Sequence, residues 1–301
     1  MANYLISIVG ATAIGKTALS IKLAQHFKAD IISCDSRQFF KEMKIGTAVP
    51  SEAELQSATH HFIQHISIFD EYNVGQFERD AIAKLNELFE KHNIVIMVGG
   101  SGLYVDAVIK GLDDFPKVAP KIREDLNQQL ADEGIASLQQ QLKVLDPVYY
   151  ERVALENPHR LIRALEICIG TGKPYSSFLK DATATRNFTA IKVGLTADRE
   201  IIYDRINRRV EIMMEEGLLE EVKALYPHKS LNALQTVGYR ELFEYFDGNW
   251  TLEFAISEIQ KNTRRFAKRQ GTWFRRDENT LWFDYEEDVE NIIEKIEGRL
   301  V

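Results

Sequence analysis

Leu5-Ile6-Ser7-Ile8-Val9-Gly10-Ala11-Thr12-Ala13-Ile14-Gly15-Lys16-Thr17 sets the architecture. Leu5 to Val9 is a nearly continuous apolar run that closes on a glycine-bearing turn, as suits a strand buried inside a parallel sheet. From Thr17 to Phe27 the residues Leu19, Leu23 and Phe27 recur at i, i+4, i+8, the stripe of a helix. Between strand and helix, Gly10, Gly15, Lys16 and Thr17 fall at the spacing of a phosphate-binding loop. The glycines let backbone N–H groups close around an anion, and the helix N-terminus adds the positive end of its dipole. Lys16 supplies a point charge and Thr17 a hydroxyl for Mg²⁺. The pattern reports a phosphate chain without saying whose; ATP is one candidate.

Outward from this stretch the alternation continues. Asp30 to Cys34 reads as a second buried strand, Phe77 to Lys91 as a helix, and Ile94 to Val98 as a third strand ended by Gly99 and Gly100. Strands alternating with helices predict an α/β fold, a P-loop NTPase-like parallel sheet flanked by helices. From Pro116 the β texture vanishes. Leu126, Leu130, Leu138, Leu142 and Leu145 sit among Gln, Asp and Glu, as on amphipathic helices. Asn157-Pro158 has the form of an N-cap with proline at the first helical position. Strand texture returns at Ile191 to Leu195. The expected organisation is a discontinuous core, 1–115 with 190–301, carrying an all-helical insertion, 116–189.

The 301 residues are 45% hydrophobic and 27% charged, as in an ordinary soluble globular chain. Two cysteines, Cys34 and Cys168, cannot build a disulfide framework, so a reducing cytoplasm is the expected location. No apolar run approaches the roughly 20 residues that span a bilayer, and no basic residue precedes Lys16, as a secretory signal would require. The net charge of −8 argues against a general nucleic-acid binder but leaves room for one basic face.

Three further clusters carry chemistry. Asp35-Ser36-Arg37-Gln38 ends the second strand, where open α/β sheets bind ligands. Asp35 there could hold a metal through water, act as a general base, or cap the next segment. Gly99-Gly100-Ser101-Gly102-Leu103-Tyr104 ends the third strand, and Ser101 could donate to a phosphate oxygen or simply cap a helix. Lys261, Arg264, Arg265, Lys268, Arg269, Arg275 and Arg276 form an acid-free basic stretch beside Trp273 and Phe274. A basic helix beside aromatics suits an RNA backbone with an unstacked base; a solvated face is the plainer reading. Arg205 and Arg209, at i and i+4, could clamp a diphosphate. Arg160 and Arg163 invite the same reading. His60, His61 and His65 lack a suitably spaced Cys or acidic partner for zinc.

In order, these segments resemble one family, the tRNA dimethylallyltransferases (tRNA isopentenyltransferases) of bacterial type. The matching runs are Gly15-Lys16-Thr17, Asp35-Ser36, Ile45-Gly46-Thr47-Ala48, Gly99-Gly100-Ser101, Leu103-Tyr104, Pro158 with Arg160 and Arg163-Ala164-Leu165-Glu166, Arg205 to Arg209, Val237-Gly238-Tyr239-Arg240-Glu241, Thr263-Arg264, Lys268-Arg269-Gln270 and Thr272-Trp273. Ser101 stands where the family more often has Thr, Phe40 where it has Tyr, Val49 where it has Lys and His159 where it has Gln.

The resemblance implies transfer of a dimethylallyl group from its diphosphate to N6 of the adenosine 3′ of a tRNA anticodon, with Mg²⁺ as cofactor. The 10–17 loop would hold the diphosphate, with Mg²⁺ near Thr17. Asp35 would take the N6 proton, Ser101 would hydrogen-bond the bridging oxygen, and Arg209 with Lys16 would neutralise the leaving group. Asp35, Ser36, Arg37, Gln38, Arg123, His159, Arg160, Leu161, Ile162 and Arg163 would meet the tRNA, and the basic stripe adds Arg264 and Lys268. A monomer is expected on the same ground.

Overall fold

The computed structural model describes residues 2–179 and 184–300. By compactness the chain divides into Met1–Lys110 with Thr185–Val301, and Gly111–Ala184. The second unit thus begins at Gly111 rather than Pro116. Helix formation stops at Lys110 and Gly111 adopts φ 86, the backbone that ends helices on glycine. Residues 180–183 of the expected insertion lie outside the described residues.

The first unit starts with β1 (Tyr4–Gly10), α1 (Lys16–Phe27), β2 (Ile31–Ser33), α2 (Glu52–Ser57) and β3 (His60–His61). Next come α3 (Val74–Phe89), β4 (Ile94–Val98) and α4 (Gly102–Lys110). The second unit holds α5 (Pro120–Glu133), α6 (Ile135–Leu145), α7 (Pro147–Tyr150) and α8 (Pro158–Thr171). The first unit resumes with β5 (Thr189–Thr196), α9 (Arg199–Glu215), α10 (Leu218–Leu225), α11 (Tyr239–Phe246), α12 (Leu252–Phe274), β6 (Leu281–Asp284) and α13 (Val289–Glu297).

Among the described residues the strands form one sheet in the order β3-β2-β4-β1-β5-β6, every pair parallel. The expected P-loop NTPase-like sheet with flanking helices is present. β1 lies inside the sheet and its residues alternate between two cores. Tyr4, Ile6 and Ile8 join Leu19 and Leu23 of α1 and Ile292 and Ile296 of α13. Leu5 and Val9 join Phe77, Ala81, Leu85 and Leu88 of α3, Val105 and Val108 of α4, and Phe274 of α12. A separate apolar cluster ties α10, α11 and the start of α12 to Phe40 and Met43. Because the strands are parallel, the loops after β1, β2, β4 and β5 emerge at one edge of the sheet.

In the second unit Leu126, Leu138, Leu142, Leu161 and Leu165 form a core of their own. The Asn157 side chain accepts the Arg160 N–H, and Pro158 takes the first turn of α8. No helix among the described residues is long and apolar enough to cross a membrane.

Candidate active site

The phosphate loop is built around an exposed helix end. Gly15 caps α1 at φ 112 without a side-chain hydrogen bond, and the first turn holds no acidic residue. A side chain would strain that left-handed backbone. The N–H groups of the first turn and the positive dipole end are therefore left to an anion. Lys16 folds back so that its ammonium donates to the Ala11 carbonyl at 2.7 Å. Burial pushes that ammonium down to about 8, Asp35 pulls the other way, and Arg209 adds to the depression.

A cavity of about 910 Å³ opens on this loop. Its walls include Lys16, Thr17, Asp35, Gln38, Arg205 and Arg209. Arg205 and Arg209 follow β5 on α9, and the structure separates their roles. Arg205 donates from Nε to the Ala13 carbonyl at 2.8 Å and lies over the Tyr285 ring, so it holds the loop in shape. Among the described residues Arg209 makes no ion pair. Burial lowers its pKa, with Asp35 the largest opposing influence. Two poorly solvated cations, Lys16 and Arg209, thus face one space with Asp35 between their fields. The attraction of a bound polyanion would offset the desolvation of both.

The second and third motifs meet. Ser101 Oγ accepts the Ser36 N–H at 3.2 Å and lies 3.1 Å from Ser36 Oγ. Asp35 Oδ1 accepts the Arg37 N–H at 3.1 Å. Other members of the segment are committed to scaffold. The Arg37 guanidinium donates to the carbonyls of Asn232 and Ala233 at 3.2 and 2.9 Å. Gln38 donates to the carbonyls of Thr47 and Ala48 at 3.2 and 2.8 Å. That 44–48 wall is also fixed by Glu221, whose carboxylate accepts the N–H groups of Lys44, Ile45 and Gly46 and the Tyr239 hydroxyl. Sequence reading did not single out Glu221. The Val237-Gly238-Tyr239 run was its only signal.

The basic stripe lies on α12. Arg264 donates to Asn207 at 2.5 Å and stands over Tyr203. Lys261 pairs with Glu258 at 2.5 Å. Lys268 is exposed and, with Arg199 and Arg275, borders a second cavity of about 260 Å³ behind Gly10 and Ala11.

In the second unit His159 and Arg160 are exposed on the first turn of α8. Arg123 and Arg163 share the buried Glu166, Arg123 donating to Oε2 at 2.5 Å and Arg163 to Oε1. Leu161 and Ile162 point into the core and are buried, so their side chains support the helix rather than meet a ligand. Of the histidines, His61 contacts Asp30 at 2.8 Å, and His65 is ringed by Phe39, Phe62 and Tyr72.

Fold and site together define an α/β phosphate-loop protein whose loop faces a cavity too large for a phosphate chain alone. Residues 38–277 match the IPP transferase family model, and the chain belongs to that family. It is 65% identical over 300 residues to a tRNA dimethylallyltransferase of Christiangramia forsetii, covering 100% of this chain and 99% of that protein. It is 64% identical over 304 residues to one of Flavobacterium psychrophilum, covering 99% of each. The tRNA isopentenylpyrophosphate transferase of Bacillus halodurans superposes with a TM-score of 0.72 at 37% identity, over 99% of this chain and 95% of that one. A eukaryotic dimethylallyltransferase acting on tRNA gives 0.81 at 26% identity, over 94% and 74%.

Proposed function

We propose that the chain transfers a dimethylallyl group from dimethylallyl diphosphate to N6 of adenosine 37, 3′ of the tRNA anticodon, giving N6-isopentenyladenosine and diphosphate. What supports this most is Asp35 sharing a cavity wall with Lys16 and Arg209. The N6 lone pair attacks the allylic carbon and the carbon–oxygen bond breaks. The electron pair leaves on diphosphate, and the N6 proton passes to the Asp35 carboxylate. Lys16, Arg209 and the N–H groups of loop 10–17, apart from the Thr12 N–H that Gln270 accepts, hold the charge that develops on the leaving group. Fixed donors in a poorly hydrated site are the strongest electrostatic aid to such a step. Ser101, through the hydroxyl shared with Ser36, hydrogen-bonds the bridging oxygen.

The donor set near Thr17 suits Mg²⁺. It offers a hydroxyl at a helix end and a carboxylate on the same wall. Such a site leaves most ligands to diphosphate and water, as Mg²⁺ prefers. When bound, the ion neutralises diphosphate charge.

His159 and Arg160 on α8, Arg123 and Arg163 around Glu166, and Arg264 and Lys268 on α12 are the proposed tRNA contacts. Adenosine 37 must unstack to reach Asp35. The protein acts as a cytoplasmic monomer in this reading.

Isothermal titration separates this reading from a kinase. Dimethylallyl diphosphate should bind in the presence of Mg²⁺, and diphosphate should be released only when tRNA is added. Phosphoryl transfer from ATP, with no diphosphate release from the prenyl donor, would overturn it.

A further inference from the structure

One buried side chain joins the two glycine loops of the site. Gln270 lies on α12 and is 6% exposed. Its Oε1 accepts the Thr12 N–H at 2.9 Å, and its Nε2 donates to the Gly100 carbonyl at 3.0 Å. Both ends of the amide are thereby satisfied across the gap between loop 10–17 and loop 99–101. The fit is close: a Cβ added at Gly100 would stand 2.1 Å from Gln270 Nε2. One turn further along α12, Trp273 donates to Asp106 at 2.9 Å and occupies the space that a Cβ on Gly102 would need. Loop 99–102 is therefore clasped by α12 at two points.

Glutamine is a poor choice for a buried position unless both its amide oxygen and its amide nitrogen find partners, as they do here. A hydrophobic residue of the same length would fill the volume without the desolvation. Here the amide bridges two loops to which the proposed reaction assigns different tasks. Loop 10–17 holds the departing diphosphate, and Ser101 meets the bridging oxygen.

We propose that Gln270 is a positioning residue that sets the separation of the phosphate loop and Ser101, so that both reach the same leaving group. The inference rests on the prenyl-transfer reading above. It also fixes the Thr12 N–H as a structural donor, unavailable to the ligand while the amide of Gln270 holds it. Misplacing a reacting or stabilising group by about 1 Å can lower a rate about 100-fold.

The test uses the full chain with tRNA, Mg²⁺ and dimethylallyl diphosphate, and measures Thr12 amide hydrogen exchange beside steady-state kinetics. Gln270→Met keeps the length and apolar volume but neither bond. It should lower kcat about 10- to 100-fold, leave the KM for tRNA within about twofold, and expose the Thr12 amide to exchange. Gln270→Glu keeps an oxygen for Thr12 and loses the donor to Gly100. Thr12 protection should return while kcat stays at least about tenfold low. Wild-type kcat in Gln270→Met, or a KM for tRNA that accounts for the whole loss, would overturn the proposal. If Gln270→Met does not fold, Gln270→Glu decides: reduced kcat with a protected Thr12 amide supports the proposal, and wild-type kcat overturns it. A wild-type protein that transfers no prenyl group under these conditions would instead refute the underlying reading.

Discussion

Ser36 and Ser101 meet hydroxyl to hydroxyl at 3.1 Å, and Ser101 Oγ also accepts the Ser36 N–H. Two segments 65 residues apart in sequence are thus joined at the ends of neighbouring strands β2 and β4. The pairing leaves the Ser101 hydroxyl proton free to point either to Ser36 or to a ligand. Ser101→Ala should lower kcat about tenfold or more with little change in the KM for the donor, as for loss of one donor to a leaving group. Ser101→Thr should retain most activity. Steady-state kinetics on both variants check this; equal losses in the two would place the effect in packing, not in the hydroxyl.

Lys16 gives a pH dependence whose sign is fixed. In the unliganded protein burial holds its ammonium at about 8, well below the ordinary lysine. Diphosphate binding needs the charged form, so affinity should weaken as pH rises through 8. Binding above pH 8 should take up a proton, visible as buffer-dependent heats in titration calorimetry. Lys16→Arg should remove that uptake. For stability the sign is the reverse of a partnered lysine. Between about 8 and 10.5 the unfolded chain binds more protons, so the empty protein gains stability with rising pH. Lys16→Met should accordingly stabilise the empty protein at neutral pH, by about 1 kcal/mol, while abolishing donor binding.

Arg205 and Arg209 should separate in experiment. Arg205→Ala removes the donor to the Ala13 carbonyl and should lower stability by about 1–2 kcal/mol, read as a lower unfolding midpoint. Arg209→Ala removes a half-buried cation without an ion-pair partner among the described residues. Its unfolding midpoint should be unchanged or higher, and its loss should fall on turnover and diphosphate affinity. The opposite assignment of the two effects would contradict the site as described.

The basic face of α12 makes a salt-dependent prediction. Replacing Arg264 and Lys268 together by alanine should weaken tRNA binding and flatten the dependence of its affinity on salt, by about one unit of slope for each phosphate no longer neutralised. An unchanged slope would place α12 away from the RNA.

Much of this was legible in sequence, because the signals are local. A strand buried on both faces leaves an apolar run, so β4 was bounded at Ile94–Val98 from sequence alone. The phosphate loop joins consecutive residues and carries its own context. The edge strands were not read. β3 is the pair His60–His61, without an apolar residue, and β6 is only Leu281 to Asp284, whose three-residue apolar run is too short to mark a strand; both are only partly buried. Long-range polar bonds were equally silent. Nothing local at Glu221 announces three backbone donors from 44–46, and nothing at Gln270 announces Thr12 and Gly100. Arg205 and Arg209 looked alike because helical spacing places both on one face; only the Ala13 carbonyl, brought in by β1, distinguishes them. Leu161 and Ile162 read as part of a ligand-contacting run, but helical geometry turns them inward between exposed Arg160 and half-buried Arg163.

The central claim is that adenosine in tRNA receives the prenyl group. Purified protein, Mg²⁺ and dimethylallyl diphosphate would be incubated with an unmodified tRNA transcript, and the digested nucleosides weighed by mass spectrometry. The account predicts an adenosine gaining one isoprenoid unit only when donor, Mg²⁺ and tRNA are all present, and no gain with Asp35→Ala. No gain with the wild-type protein, on a transcript that a family member does modify, would contradict it.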